Sequence, residues 1–264
     1  MEKIYKVGEL SMKILLTNDD SIRAEGLAAL WSALKDIADV VVVAPDRERS
    51  ATGHGITMDV PLRAENTSLF DGRGWMVNGT PADCVKLAIN CLLKEKPDLI
   101  IAGINRGPNL GIDVFYSGTV SGAMEGTILG FPSIAVSVAS FQNPIYDFAA
   151  EFIKKIAPKV LEHHNLKDVL LNINVPSLPS EKICGVKITR LGNRKYINSF
   201  DARVDPWGRV YYWLGGDVVD DDTAGNDTDV ATIKENKVSI TPIQIDLTNY
   251  KAMRSLNDVL NDLF

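Results

Sequence analysis

The stretch from Met12 to Gly26, M-K-I-L-L-T-N-D-D-S-I-R-A-E-G, restricts the fold more than any other. Ile14, Leu15 and Leu16 form a short apolar run, as expected of a strand buried on both faces. The run stops at Thr17, Asn18, Asp19 and Asp20. Apolar Ile22, Leu27, Leu30, Trp31 and Leu34 then recur at helical spacing. Two adjacent carboxylates therefore sit at the carboxyl end of the first buried strand. In open parallel α/β sheets ligands bind at that edge. The plain alternative is helix capping, because an acid at a helix start accepts bonds from free amides. One acid suffices for a cap, and a second adds like-charge repulsion. A divalent cation removes that repulsion, since hard cations prefer carboxylate oxygens, so the pair reads as a metal site.

Strand and helix signals alternate through the first two thirds of the chain. Strand runs fall at Val40 to Val43, Trp75 to Val77, Leu99 to Ala102, Ser133 to Val138 and Val169 to Val175. Helical patterns fall at Val120 to Leu129 and Phe148 to Leu161. A further helix opens at Thr80-Pro81-Ala82-Asp83, with Thr as N-cap and Pro at the first helical position. Repeated strand–helix units imply an α/β fold: a mostly parallel sheet with helices on both faces. After Pro176 the texture changes. Val186 to Leu191, Val210 to Leu214 and Val238 to Thr241 read as strands without helices between them. Asp217 to Asp229 is acidic and reads as a solvated loop. The expected organisation is an N-terminal extension at 1–11, a catalytic α/β domain at 12–181, a projecting β-hairpin region at 182–237, and a C-terminal strand and helix at 238–264.

With 264 residues, 45% hydrophobic and 23% charged, the composition is that of a soluble globular protein. A formal net charge of −6 argues against a partner such as duplex nucleic acid, which needs a basic face. No apolar run is long enough for a membrane span, and residues 1–11 lack the apolar core of a signal peptide. The three cysteines, Cys84, Cys91 and Cys184, form no C-x-x-C pair and read as buried free thiols in a reducing, cytoplasmic setting.

Three more strand-end loops are dense in polar residues. The first, A-P-D-R-E-R-S-A-T-G-H-G-I-T from Ala44 to Thr57, puts the Ser50 hydroxyl within reach of the Asp pair. Its Arg47 and Arg49 read as surface charges or site residues, and His54 as an incidental loop residue or a ligand contact. The second, G-I-N-R-G-P-N-L-G from Gly103 to Gly111, carries Asn105, whose amide oxygen suits a hard cation. Asn109 and Asp113 are further polar candidates there. The third, Y-S-G-T-V-S-G-A-M-E-G from Tyr116 to Gly126, sets Ser117, Gly118, Thr119 and Ser121 at a helix start. That is either a Ser/Thr cap or a phosphate site built from amides, hydroxyls and the helix dipole. A Walker loop is excluded, because G-K-[ST] is missing. Together the loops suit metal-assisted hydrolysis of a phosphoester.

These motifs, with N-G-T-P-A-D-C-V at Asn78 to Val85, L-N-I-N-V-P at Leu171 to Pro176 and S-I-T-P at Ser239 to Pro242, resemble the SurE family of nucleotidases and acid phosphatases. The resemblance runs in order from Met12 onward. It implies a divalent-metal-dependent hydrolase that releases phosphate from nucleoside 5′- and 3′-monophosphates; the site chemistry is read as attack by a metal-activated water, with an Asp as base or as covalent nucleophile both open. In some members short polyphosphate is also a substrate. It implies one Mg²⁺ or Mn²⁺ per subunit on Asp19, Asp20, Ser50 and Asn105. Ser117, Gly118 and Thr119 form the implied phosphate loop, and Asn18 stands beside the carboxylates. The implied fold is Rossmann-like, with C-terminal elements exchanged in a homodimer or homotetramer. One residue departs from the family pattern: Ser21 stands where these proteins usually have Gly. If that position has positive φ, Ser is strained there by about 1 to 3 kcal/mol; otherwise Ser21 caps the helix. The competing function is a nucleotide or phosphate sensor without turnover on the same fold. A third reading, sugar-nucleotide transfer, usually uses D-x-D spacing, which the adjacent acids here do not match.

Overall fold

The alternating apolar runs pair into one sheet that helices cover on both faces. The computed structural model describes residues 12–166, 168–198, 200–220 and 225–261. The expected extension at 1–11 lies outside these residues, as do 221–224 of the acidic run. The strands are β1 (Lys13–Thr17), β2 (Asp39–Pro45), β3 (Ala64–Thr67), β4 (Gly74–Val77), β5 (Leu99–Arg106), β6 (Ser133–Val138), β7 (Leu170–Val175), β8 (Val186–Ile188), β9 (Arg194–Ile197), β10 (Phe200–Val204), β11 (Val210–Leu214), β12 (Asp217–Asp220) and β13 (Val238–Ile243). The helices are α1 (Glu25–Leu34), α2 (Pro81–Leu87), α3 (Gly118–Ile128), α4 (Asp147–Glu162), α5 (Asp229–Lys234) and α6 (Tyr250–Asn261).

Among the described residues, nine strands form the main sheet in the order β3-β4-β2-β1-β5-β6-β7-β13-β8. From β4 to β7 every neighbouring pair is parallel. β3 and β13 join antiparallel at the two sides, and β8 runs parallel to β13. The chain steps from β1 to β2 on one side and resumes at β5 on the other. Strand order therefore reverses between β1 and β5, which opens a crevice at their carboxyl ends.

Side-chain alternation explains why β1 is apolar throughout. Ile14 and Leu16 pack with α1 and α4 on one face, while Leu15 packs with Cys84, Val85 and Ala88 on the other. On that second face Ala102 of β5 and Ala135 of β6 leave room for α3, which meets them through Val120 and Ala123. Thr80 caps α2 in a reciprocal capping box with Asp83, and Pro81 opens the helix, as its sequence predicts.

Four readings change. β8 is an edge strand of the main sheet rather than part of a projection, and the residues that leave that sheet are β9 to β12. A helix does occur between the late strands: α5 packs on β13. The acidic run is not wholly a solvated loop. Asp217–Asp220 pairs with β9, and the buried Asp229 accepts the backbone N–H groups of Gly111, Gly192 and Val230 at 2.9, 2.7 and 2.8 Å. Of the three thiols only Cys84 is buried; Cys91 and Cys184 are exposed.

Candidate active site

β1 ends at Thr17, and α1 begins only at Glu25. Its N-cap is Ala24, with no side-chain cap bond, so neither Asp19 nor Asp20 caps the helix that follows. Directly after the pair Ser21 has φ 98°, a left-handed conformation that favours glycine. Ser21 is therefore strained rather than a helix cap. The turn is held by Asn18 Nδ2, which donates to the Ser21 carbonyl at 2.9 Å.

The neighbouring loops close around this turn. Arg49 N–H donates to the Asp19 carbonyl at 2.7 Å, which brings the segment after β2 over the aspartates. Arg106 N–H, one residue beyond Asn105, donates to Asp20 Oδ2 at 3.1 Å. Thr119 Oγ1 donates to Asp19 Oδ1. Gly118 packs so closely that a Cβ there would lie 2.7 Å from Asp19 Cβ and 2.8 Å from its Oδ2. Ser117 caps α3, its Oγ accepting from Val120 N–H at 3.0 Å, and the Ser121 hydroxyl returns to the Ser117 carbonyl at 2.6 Å. The start of α3, with its positive dipole end, is thus pressed against Asp19.

Both carboxylates are held above their ordinary range. Burial pushes Asp19 up to about 6, opposed by the Thr119 hydroxyl and reinforced by the charge of Asp20. Burial also raises Asp20, against the Arg106 amide and with Glu48 adding to the rise. Tyr146, beside them, is pushed up to about 12 by burial and then by Asp20 and Glu25.

The chemistry of this pocket fits a hard cation. Asn18 Oδ1 is buried and has no hydrogen-bond partner among the described residues. Asn105 Nδ2 is committed to the Gly107 carbonyl at 2.8 Å, which leaves its amide oxygen as the available donor to a cation. Two carboxylates with neutral amide and hydroxyl oxygens are an oxygen set for Mg²⁺ or Mn²⁺. Among the described residues no group of three or more His, Cys, Asp or Glu is placed to hold a metal, consistent with a set containing only two acids. Ser50 is brought near but not turned inward: it is exposed, and its hydroxyl donates to Glu48 Oε1 at 2.7 Å.

Other candidates serve the scaffold. Asn109 is buried in a polar lattice, its carbonyl accepting from Asn172 and Asn174 and its Nδ2 donating to Ser137 Oγ at 2.8 Å. The two asparagines of L-N-I-N-V-P therefore pin the loop that follows β5, while Asn105 itself lies near the end of that strand rather than in the loop. Asp113 binds Arg194 and Tyr196, tying that loop to β9. His54 meets the buried Glu125 at 2.8 Å, and Lys86 meets the same carboxylate at 2.7 Å. Arg49 is no surface charge, since its Nη2 donates to the Asn78 carbonyl at 2.7 Å. Among the site-lining residues that escaped the sequence reading are Glu48, Arg106, Phe141 and Tyr146. The first two lie inside motifs already singled out. Phe141 and Tyr146 belong to another strand-end loop, after β6, whose only sequence signal is an aromatic two residues before Asn143-Pro144.

Among the described residues no helix is long and apolar enough to cross a membrane. Residues 14–198 match the family model for survival protein SurE. The chain is 55% identical over 251 residues to a protein of Heliobacterium modesticaldum named 5′-nucleotidase SurE, covering 94% of this chain and 92% of that protein. It is 54% identical over 252 residues to the 5′-nucleotidase SurE of Pelotomaculum thermopropionicum, covering 94% and 95%. The crystal structure of the SurE protein from Aquifex aeolicus superposes with a TM-score of 0.81 at 43% identity, over 94% of this chain and 99% of that one. With a mostly parallel sheet whose switch-point loops hold the aspartate pair against a helix start, this chain belongs to the SurE family.

Proposed function

We propose that the protein is a metal-dependent phosphomonoesterase that releases phosphate from nucleoside 5′-monophosphates, and from 3′-monophosphates and short polyphosphate in the same site. The observation that carries this reading is the junction of two raised-pKa carboxylates with the start of α3. The names of the relatives, 5′-nucleotidase SurE, support the substrate class. Asp19, Asp20, Ser50 and Asn105 would hold one Mg²⁺ or Mn²⁺, with the Ser50 hydroxyl turning from Glu48. When bound, such a cation supplies Lewis-acid polarisation of the phosphoryl oxygen and lowers the pKa of a bound water.

The chain's own groups divide the remaining work. The first amides of a helix have no partner within it, so those of Gly118 and Thr119 bind and orient the phosphate. The same donors stabilise charge that develops on the phosphoryl oxygens. Asn18 Oδ1 accepts a hydrogen bond from water in the site. Water attacks phosphorus in line, the phosphorus–oxygen ester bond breaks, and the nucleoside leaves as its alcohol. The division into a catalytic domain at 12–181 and a C-terminal oligomerisation region belongs to this reading, as does assembly into a homodimer or homotetramer.

Phosphate release from 5′- and 3′-monophosphates, screened across Mg²⁺, Mn²⁺ and Zn²⁺, tests it. Activity that vanishes in chelator and in Asp19→Asn or Asp20→Asn is expected. Nucleotide binding without turnover would make the protein a sensor, and full activity in either variant would overturn the assignment.

A further inference from the structure

Beside the aspartate pair lies a cavity of about 400 Å³, lined among others by Asp20, Glu25, Glu48, Arg106, Phe141 and Tyr146. The volume is within the usual range of small-molecule sites. It shares Asp20 with the phosphate end, so the alcohol half of a bound ester extends into it. Phe141 stands out in this wall. Its residue is 72% exposed, an unusual state for a phenylalanine beside a buried site. The ring is nevertheless placed: it rests on Gly107, where a Cβ would lie 2.1 Å from Phe141 Cε1 and 2.6 Å from Cδ1. Gly107 is itself held by its N–H to the Val138 carbonyl at 3.0 Å. The loop carrying the ring is braced by the Ser140 hydroxyl on the Gln142 carbonyl at 2.6 Å and by Ile145 N–H on Ser177 Oγ at 2.9 Å. One side of the ring is thus backed by Gly107, just past the end of β5, and the rest is open.

The other lining groups select the kind of molecule. Asp20, Glu25 and Glu48 are three carboxylates against one guanidinium, Arg106. That balance offers acceptors to hydroxyls and exocyclic amines. A flat ring and an acceptor-rich wall suit a nucleoside: the base stacks on an aromatic face, and the ribose hydroxyls donate to carboxylates.

We infer that Phe141 is the base-stacking residue of this enzyme and sets its preference for nucleoside monophosphates over baseless phosphate esters. The inference rests on the phosphomonoesterase reading above and deepens it. The test compares adenosine 5′-monophosphate with ribose 5-phosphate, in wild type, Phe141→Ala and Phe141→Trp, under saturating Mn²⁺. Loss of one stacked base is worth about tenfold in affinity. The ratio of kcat/KM for adenosine monophosphate over ribose 5-phosphate is expected to fall about tenfold in Phe141→Ala, through KM for the nucleotide, and to persist in Phe141→Trp. An unchanged ratio in Phe141→Ala, including an equal loss on both substrates from a slackened end of β5, would overturn the inference. If wild type releases phosphate from neither ester, the phosphomonoesterase reading itself fails, and that outcome is distinct from both.

Discussion

Asp19 is ionised at neutral pH only against the resistance of its surroundings. Its carboxyl, raised to about 6 from 3.8, binds a proton more tightly folded than unfolded. Its contribution to stability is therefore full below pH 3.8 and lost as pH rises through about 6. Asp19→Asn removes that loss, and a neutral amide still accepts from Thr119. The metal-free variant is expected to be more stable than metal-free wild type at pH 7.5, by about 2 to 3 kcal/mol, in urea unfolding. Its advantage shrinks at pH 4. Added Mn²⁺ raises the Tm of wild type and not of the variant. Ser21 is a second residue-scale case. At φ 98° a side chain is strained, so Ser21→Gly is expected to stabilise the protein by about 1 kcal/mol. A lower urea midpoint in that variant would refute the strain. The sequence leaves Ser21 two readings, backbone strain or a helix cap, and the backbone angle selects the first.

At the scale of elements, the start of α3 works because Gly118 has no side chain. Gly118→Ala drives a methyl into Asp19 and is expected to lower kcat/KM at least tenfold, while circular dichroism stays native. Farther along α3, Glu125 anchors the loop after β2 through His54 and is also paired with Lys86. Those partners hold its carboxyl below the ordinary value of 4.5, the His54 bond foremost. A depressed acid stabilises above its unfolded pKa and loses that contribution as pH falls through the folded one. Glu125→Gln should therefore be less stable than wild type at pH 7, with the difference closing below about pH 4.5. Differential scanning fluorimetry across pH 3 to 7 reads this. Neither His54 nor Glu125 announced the pair in the sequence, because 71 residues separate them and neither position is periodic.

For the whole molecule, the C-terminal elements are the unfinished part. Every residue of β10 and β11 is exposed, and a lone two-stranded hairpin is marginal in water. The pairing of Phe200 with Leu214, Ala202 with Tyr212 and Val204 with Val210 gathers an apolar face. Exposed Met253, Leu256, Val259 and Leu260 make a second apolar stripe on α6. Light scattering is expected to find a dimer or tetramer for wild type and a monomer for Tyr212→Asp with Leu214→Asp. A monomeric wild type would count against the exchange of C-terminal elements between subunits.

The sheet and its helices were readable because burial on two faces leaves unbroken apolar runs, and helices leave a 3.6-residue period, both local in the chain. The adjacent aspartates and Asn105 stand out for the same reason, each sitting where an apolar run stops, and the serine–glycine helix start stands out by its cap chemistry. What only the tertiary structure decided is which polar groups meet. It turned Asn109, Asp113 and Asp229 into internal fastenings, joined β8 to the main sheet, and set Phe141 and Glu48 beside Asp20. Such pairings join residues far apart in the chain, and single side chains without periodicity carry no trace of their partners until the strands that bear them lie side by side.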